Sequence, residues 1–434
     1  MLYPFLSVNK QGHLTVADHD TVVLAKKYGT ALFVMNVDRL RENCALYVNT
    51  MRECFGEKAM PLFASKALSF TGIYRLVNEC GMGTDIVSPG ELYTAIKSGF
   101  PMEKAFFHGN NKTDDDIAFA IRSNIGYFVV DNEEELANID RIASENGTRQ
   151  KILLRITPGI DPHTHKAIVT GSVDSKFGKA IETGQAYAIV DAALKLENVE
   201  LCGFHCHIGS QIFDCQPFCD AADIMIEFIA EVKRRFGFEA AMLNLGGGFG
   251  VRYVESHPTI DIPRNIRNIA THLKTKCNEY NVQLPFILME PGRSIVADTT
   301  VTLYTVGSVK EITGFRNYVS VDGGMTDNPR YALYGSEYTV LTANRMNEPA
   351  DYPCTVAGRC CESGDLLQEN VVIAKPQRGD ILAVLTTGAY NYSMASNYNR
   401  LPRPAILMVG KDYEKLAVRR ETYEDLCKLD LDID

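Results

Sequence analysis

Short apolar runs recur along the first two thirds of the chain, and segments with helical periodicity separate them. The runs begin near Pro61, Thr84, Ala105, Tyr127, Ile152, Leu201, Met242 and Phe286. Each of the first seven is followed by apolar residues at the spacing of one helix face. Eight strands that alternate with helices over about 230 residues are typical of a (β/α)8 barrel. An open, doubly wound sheet is the alternative, but no Gly-x-Gly-x-x-Gly turn follows the first strand.

Several of the predicted helices carry start signals. Ser88-Pro-Gly-Glu91 has the serine, proline and glutamate of a capping box. Asp131 and Glu134 have the same spacing. Thr113 precedes three aspartates, whose charges favour the positive end of a helix. These signals support three of the predicted strand-to-helix transitions.

The two ends of the chain have a different pattern of apolar and polar residues. The first 36 residues predict a short strand at 13–17, a helix at 21–28 and a strand at 31–35. After Gly292, short apolar runs alternate with Gly, Pro and Asn clusters, and a small helix is predicted near residues 421–429. These later strands are predicted at 301–306, 318–321, 371–374 and 381–385. We therefore predict an α/β protein: a (β/α)8 barrel over residues 37–292, and a mostly antiparallel, all-β domain formed by residues 1–36 and 293–434.

Composition limits the function classes. A chain of 434 residues exceeds the size at which one core stops growing, which favours two domains. The formal charge of -10 argues against a general binder of nucleic acid or anionic membranes. No apolar run approaches the ~18 residues of a membrane span, and the N-terminal residues lack the regions of a signal peptide. The expected location is the cytoplasm.

The 12 cysteines include no Cys-x-x-Cys pair. The densest group of metal-ligand types is Cys202-Gly-Phe-His205-Cys206-His207, where strand alternation places the cysteines and the histidines on opposite faces. That division argues against zinc, so we predict no metal site. Most of the cysteines are expected to be small core residues.

Lys66 ends the apolar run that starts at Ala59, an unusual place for a lysine. Burial disfavours the ammonium form, so a lysine held there would have a lowered pKa and a nucleophilic amine. Such an amine forms Schiff bases with carbonyl compounds. The plainer interpretation is a lysine whose amine reaches water from the strand end.

The other predicted strands also end on polar residues or glycine. These ends are Asp85, His108, Asp131, Arg155, His205 with His207, Gly246-Gly247-Gly248, and Glu290 with Gly292 and Arg293. In a barrel the active site lies at the C-terminal ends of the strands. The glycine turn could cradle a phosphate, and Glu290 needs a cation such as a pyridinium or an arginine. An amine, a phosphate cradle and a pyridinium partner together predict pyridoxal phosphate.

Several motifs in order resemble one family over almost the whole chain. They are Lys66, Asp85-Ile-Val-Ser-Pro-Gly-Glu-Leu92, His108-Gly-Asn-Asn-Lys112, Ser175-Lys-Phe-Gly178, His205-Cys-His-Ile-Gly-Ser-Gln211, Gly246-Gly-Gly-Phe-Gly250, Glu290-Pro-Gly-Arg293, Cys361-Glu-Ser-Gly-Asp365 and Gly388-Ala-Tyr390. The chain thereby resembles the fold-type III pyridoxal-phosphate decarboxylases. It departs from their usual pattern at Tyr331, where proline is usual, and in the loop 157–165.

The resemblance implies a role for each cofactor-binding residue. Lys66 would form the Schiff base, His207 would stack on the cofactor ring, and Glu290 would keep the pyridine nitrogen protonated. Asp85 would also line the cofactor site. The phosphate would be held by Ser210, Gly246, Gly247, Gly248, Gly292, Arg293 and Tyr390.

The resemblance also implies a substrate and a partner. The retained carboxylate would be bound by Arg293, Arg330 and Tyr334, and Tyr390 would also contact the substrate. Cys361, as proton donor, and Glu362, as anchor of the distal ammonium, would reach in from the other subunit of a homodimer with shared sites. The implied reaction is decarboxylation of meso-2,6-diaminopimelate to L-lysine and carbon dioxide, the last step of lysine biosynthesis.

Alternatives remain at this point. They are a decarboxylase of D-ornithine, D-lysine or carboxynorspermidine, an amino-acid racemase of the same fold, and a homologue that regulates a partner without catalysis.

Overall fold

The computed structural model describes residues 3–160 and 176–433, which form two compact units. The first unit consists of Met1–Glu42, Val251–Pro258 and Ile295–Asp434, and the second of Asn43–Gly250 and Thr259–Ser294. No helix in the described ranges is long and apolar enough to cross a bilayer.

The chain begins with a small antiparallel sheet, one helix and one longer strand. These elements are β1 (Leu6–Val8), β2 (Leu14–Val16), β3 (His19–Asp20), α1 (Thr21–Tyr28) and β4 (Leu32–Asn36). The Asp20 carboxylate accepts the Val22 and Val23 N–H groups and so caps α1.

The second unit is a closed barrel of parallel strands with helices between them. Its strands are β5 (Ala59–Ala64), β6 (Gly83–Ile86), β7 (Ala105–Phe107), β8 (Tyr127–Val130), β9 (Gln150–Thr157), β11 (Val199–His205), β12 (Met242–Asn244) and β13 (Phe286–Met289), with a short β10 (Lys179–Ala180) beside β9. Its helices are α2 (Val37–Phe55), whose first six residues belong to the first unit, α3 (Thr71–Glu79), α4 (Pro89–Ser98), α5 (Asp114–Arg122), α6 (Glu133–Glu145), α7 (Gln185–Leu194), α8 (Gln216–Phe236) and α9 (Ile262–Glu279). Because β13 pairs with β5, and β8 with β9, the sheet has no open edge. The predicted (β/α)8 barrel is confirmed.

Side chains fill the centre of the barrel. Five strands contribute one fully buried residue each, namely Leu62, Phe106, Val129, Leu153 and Leu288. Helices cover the outer face, so these strands are buried on both sides and read as continuous apolar runs. A filled barrel leaves only its ends for chemistry.

The first unit is mostly antiparallel. Its later elements are α10 (Arg293–Val296), whose first two residues belong to the second unit, β14 (Thr300–Glu311), β15 (Asn317–Val321), α11 (Arg330–Tyr334), β16 (Val340–Thr342), β17 (Tyr352–Ala357), β18 (Leu366–Ile373), β19 (Ile381–Val384), β20 (Ala405–Gly410), β21 (Tyr413–Val418) and α12 (Tyr423–Cys427). The main path of its large sheet runs β18-β17-β15-β14-β4-β20-β21, with only β15–β17 and β4–β20 parallel. Both neighbours of β4 come from the far end of the sequence.

Two of the three predicted helix starts need correction. Thr113 and Asp116 form a reciprocal capping box on α5, as predicted. Ser88 Oγ accepts the Glu91 N–H, but the Glu91 carboxylate points elsewhere, so that box is one-sided. Helix α6 is capped by Asn132 and not by Asp131, because the Asp131 carboxylate accepts the Gly178 N–H instead.

Candidate active site

Lys66 lies on a short 3-10 turn, Ser65–Ala67, directly after β5. Its side chain is exposed although Ser65 and Ala67 are buried. The expectation of a buried lysine was therefore wrong. Strand β5 ends at Ala64, and the tight turn directs this one side chain out of the packed layer while its neighbours face inward.

Two carboxylates hold this turn, the buried Asp85 and the half-buried Glu91. Asp85, on β6, accepts the Ser65 N–H at 2.8 Å, and Glu91, on α4, accepts the Ser65 hydroxyl at 2.9 Å and the Val87 N–H at 2.8 Å. Burial raises the pKa of both carboxyl groups, the nearby Glu290 raises the pKa of Asp85 further, and the Lys66 ammonium opposes the shift in both. The backbone beside the amine is thus fixed from two sides.

Glu290 follows β13 and is buried among side chains from three other strands. Its Oε1 accepts a hydrogen bond of 2.7 Å from Asn244 Nδ2, and its Oε2 lies 3.3 Å from His205 Nε2. His108 Nε2 lies 2.9 Å from Oε1, an electrostatic contact whose angle falls outside hydrogen-bond geometry. Burial opposes ionisation of Glu290, but the two histidines outweigh it and hold its pKa well below the ordinary range.

The imidazoles around this carboxylate are neutral at physiological pH. Burial is the largest cause, and it lowers the pKa of His205 to about 4 and that of His108 below its ordinary value. Burial also places the pKa of His207 well below its ordinary value. The Nδ1 atom of His207 accepts the Gly247 N–H at 3.2 Å, which leaves its proton on Nε2. His207 is therefore a neutral ring with a fixed tautomer.

The glycine turn after β12 approaches other backbone closely. Gly246 and Gly248 have φ of +69° and +131°, where side chains are disfavoured. A Cβ at Gly247 would stand 2.1 Å from the Glu290 carbonyl oxygen. The turn therefore requires glycine. The Gly246 and Gly247 amides donate to Asn244 Oδ1 and His207 Nδ1, so what the turn offers a phosphate is backbone with no side chains of its own in the way.

Ser210 and Arg293, which follow the C-terminal ends of β11 and β13, are joined by hydrogen bonds. The Arg293 guanidinium donates to Ser210 Oγ from Nη2 at 3.0 Å and from Nε at 3.2 Å. Gly292 precedes it, and a Cβ there would stand 2.7 Å from the Ala64 Cβ, just before the Lys66 turn. A hydroxyl, a guanidinium and a glycine backbone are suitable phosphate ligands.

The remaining predicted residues belong to the first unit. Arg330, on α11, is buried, and its guanidinium carbon lies 5.9, 5.8 and 5.6 Å from the ring centres of Tyr253, Tyr334 and Tyr390. Its Nη2 donates to Ser336 Oγ at 3.0 Å, and its buried Nε has no hydrogen-bond partner among the described residues. A buried guanidinium with an unpaired donor is suited to a carboxylate.

Cys361 and Glu362 lie on the exposed loop between β17 and β18. The Cys361 N–H donates to Asn399 Oδ1 at 2.7 Å. The buried Asp365 carboxylate accepts the Cys360 N–H at 2.6 Å, so the loop is held on both sides of Cys361. Ser175 and residues 161–165 of the predicted loop lie outside the described residues.

The barrel sequence matches a known family. Residues 41–297 match the model described as pyridoxal-dependent decarboxylase, pyridoxal binding domain. The chain belongs to the pyridoxal-dependent decarboxylases.

Curated members of this decarboxylase family are similar over nearly the full length. The chain is 45% identical to diaminopimelate decarboxylase of Bacillus subtilis over 98% of this chain and 96% of that protein. It is 47% identical to diaminopimelate decarboxylase of Bacillus methanolicus over 95% and 96%. The crystal structure of diaminopimelate decarboxylase from M. jannaschii with L-lysine has a TM-score of 0.89 at 34% identity, covering 99% and 98%.

The residues present fit pyridoxal phosphate. The glycine turn is closed to any side chain at Gly247, and the described groups in contact with the buried Glu290 anion are the neutral side chains of Asn244, His205 and His108. A pyridinium N–H would supply the missing positive charge. Pyridoxal phosphate is the cofactor of this decarboxylase, and the predicted cofactor and enzyme class are confirmed. The role of each individual site residue stays a prediction.

Two residues of the site were missed or misjudged from the sequence. Asn244 was not singled out, although its place between β12 and the glycine turn was a usable signal. Glu91 was interpreted only as a helix cap, whereas its carboxylate holds the Lys66 turn. Both roles depend on neighbouring strands, which no local pattern reveals.

Proposed function

We propose that this decarboxylase converts meso-2,6-diaminopimelate to L-lysine and carbon dioxide, the last step of lysine biosynthesis. The observation that carries the proposal is 45–47% identity, over 95% or more of the chain, to two proteins named diaminopimelate decarboxylase. The buried Arg330, with its unpaired Nε, supports it, since this substrate retains one carboxylate after losing the other.

Bound pyridoxal phosphate supplies the electron sink for the carbanion that loss of carbon dioxide leaves. Lys66 Nζ would hold the cofactor covalently, and the Asp85 and Glu91 carboxylates keep its turn in place. His207 offers the face of a neutral ring. Glu290 would hold a proton on the pyridine nitrogen, and Ser210, Arg293 and the glycine turn would bind the phosphate.

Arg330 selects the substrate in this proposal. A guanidinium surrounded by three tyrosine rings loses little conformational freedom when it binds a carboxylate. A diamino acid without a second carboxylate would leave this buried cation unpaired, which is costly. Arg330 therefore favours diaminopimelate over D-lysine and D-ornithine.

We assign the proton return and the distal ammonium to Cys361 and Glu362 of the other subunit in a homodimer. The loop that carries them is exposed and is held by hydrogen bonds to Asp365 and Asn399, so it is suited to contact a second subunit. Mixing Lys66→Ala chains with Cys361→Ala chains should restore up to about a quarter of the activity, because one of the two sites in a hybrid is intact. Inactive mixtures with proven hybrid formation would place both residues in one subunit's site. A cytoplasmic location is also proposed, on the sequence grounds alone.

A substrate panel tests the reaction. Purified protein with pyridoxal phosphate is supplied in turn with meso-diaminopimelate, D-lysine, D-ornithine and carboxynorspermidine, and carbon dioxide and the amine product are measured. L-lysine from meso-diaminopimelate, with kcat/KM at least a hundredfold above the others, is expected. A higher kcat/KM for any other member of the panel would overturn the substrate assignment.

A further inference from the structure

The Glu290 carboxylate has neighbours from three further strand ends, none of which is assigned a role above. Asn244 ends β12, His205 ends β11, and His108 directly follows β7. All three are buried, as is Glu290. His205 and Asn244 are paired in register across β11 and β12, so their side chains point to the same side of the sheet.

We infer that Asn244, His205 and His108 are positioning residues that keep Glu290 ionised and aimed at the pyridine nitrogen of the cofactor. The inference rests on the pyridoxal-phosphate site described above. None of the three needs to touch the cofactor, and each acts through the carboxylate.

The charge of the cluster leads to this inference. Asn244 cannot ionise, and burial keeps the imidazoles of His205 and His108 neutral, so the four side chains carry one negative charge. Neutral N–H donors reduce the cost of burying that anion without cancelling its charge. A protonated histidine would cancel it and would remove the reason for the pyridine nitrogen to bind a proton.

Charged groups also lie farther from the Glu290 carboxylate. Arg155 and Asp85 are near enough to influence the cluster electrostatically, with opposite signs. The Arg155 guanidinium carbon lies 4.4 Å from the ring centre of Phe177. Lys66 is exposed. Among the described residues, Glu290 is therefore contacted directly by two neutral donors, Asn244 and His205, and by the neutral imidazole of His108.

Asn244 has a second contact that fixes its orientation. Its Nδ2 donates to Glu290 Oε1 at 2.7 Å while its Oδ1 accepts the Gly246 N–H at 2.9 Å. Rotating the amide by 180° would lose both hydrogen bonds, so only one orientation is stable. One side chain thus couples the Glu290 carboxylate, which would face the pyridine nitrogen, to the glycine turn, which would face the phosphate.

Nuclear magnetic resonance with 15N-labelled pyridoxal phosphate tests this role directly. The chemical shift of the pyridine nitrogen in the holoenzyme reports its protonation, which a merely structural defect would not change. We expect a protonated nitrogen in the parent and a largely deprotonated one in Asn244→Leu and His205→Leu. The dissociation constant of the cofactor should rise at least about tenfold in both, the equivalent of one charge-assisted hydrogen bond.

Conservative and distant substitutions are the controls. His205→Asn keeps a neutral N–H donor and should retain the protonated nitrogen. Asn268→Leu, at an exposed position on α9, should leave both shift and affinity at parental values. If Asn244→Leu fails to fold, the contrast between His205→Leu and His205→Asn decides the matter.

The outcomes separate this inference from the proposed reaction. A nitrogen that stays protonated in folded Asn244→Leu and His205→Leu, while the parent forms lysine, overturns the positioning role alone. A parent holoenzyme that binds the cofactor with a protonated nitrogen but forms no lysine overturns the substrate assignment and leaves the role intact. A parent with a deprotonated nitrogen overturns the inference.

Discussion

Replacing Glu135 by glutamine should destabilise the barrel unit by about 3–5 kcal/mol. Glu135, on α6, is buried, and its Oε1 lies 2.7 Å from Lys112 Nζ. Lys112 is also buried, and its other two N–H donors reach the Gly109 and Val129 carbonyl oxygens, each at 2.9 Å. The ammonium is therefore fully paired, and Glu135 is its only carboxylate partner at ion-pair distance among the described residues.

The magnitude follows from the unpaired charge that the substitution leaves. Burial lowers the pKa of Lys112, and the Glu135 carboxylate is the largest influence that opposes this shift. Glutamine keeps the shape and one acceptor but removes the counter-charge. An uncompensated buried ion costs several kcal/mol even after relaxation. The effect should also reach the site, because Lys112 anchors the segment that carries His108 four residues earlier.

Urea unfolding of the holoenzyme, followed by circular dichroism, measures the change as a shift of the midpoint at constant slope. The matched control is Glu145→Gln on the same helix. Glu145 pairs with Arg141 at the surface, at 2.8 Å, and its loss should cost less than about 0.5 kcal/mol. The double variant Lys112→Met with Glu135→Leu removes both charges and should recover most of the lost stability. A Glu135→Gln loss below about 1 kcal/mol, or a double variant less stable than the single one, would refute the reasoning.

Three further predictions concern pH, the glycine turn and the substrate. The pKa of His205 is about 4 in the folded protein and 6.5 ordinarily, so the unfolded chain binds the proton first as the pH falls. The free energy of unfolding should therefore decrease by about 3 kcal/mol as the pH drops from 6.5 to about 4. The midpoints of urea unfolding, measured against pH, should fall less in His205→Asn. Gly247→Ala should weaken cofactor binding more than tenfold in absorbance titrations, because its Cβ would lie 2.1 Å from the Glu290 carbonyl oxygen. In the control Gly90→Ala, the new Cβ would meet only Ser88 Oγ, at 3.7 Å, so this variant should bind the cofactor normally. Arg330→Lys should raise KM for diaminopimelate about 10- to 100-fold with a smaller change in kcat, since lysine cannot form the guanidinium fork; an unchanged KM in steady-state kinetics would remove Arg330 from the substrate site.

Much of the barrel could be predicted from the sequence because its strands are buried on both faces. Continuous apolar runs such as the one before Lys66 identify these strands, and helical periodicity identifies the segments between them. The strand ends then followed directly, since the C-terminal ends of parallel barrel strands meet at one end of the barrel. Glu290, His207 and the glycine turn were singled out in this way as predicted site residues.

Corrections arose where a side chain's partner lies far away in sequence. Glu91 has the spacing of a capping box, yet its carboxylate binds Ser65, 26 residues away. Asp131 has the position of a helix cap, yet it binds the Gly178 N–H across 47 residues. A local pattern gives the residue type that can make a hydrogen bond, whereas the fold decides which donor is within reach.

By itself the sequence determined the order of strands and helices and the residue types at the C-terminal ends of the barrel strands. It could do so because the apolar runs of buried strands and the periodicity of helices are local properties of the chain. Only the tertiary structure decided that Lys66 is exposed on its turn and that Asn244, His205 and His108 surround Glu290. These contacts depend on the register of four strands around a closed sheet. Register is set by the packing of the whole barrel, so no single segment encodes it.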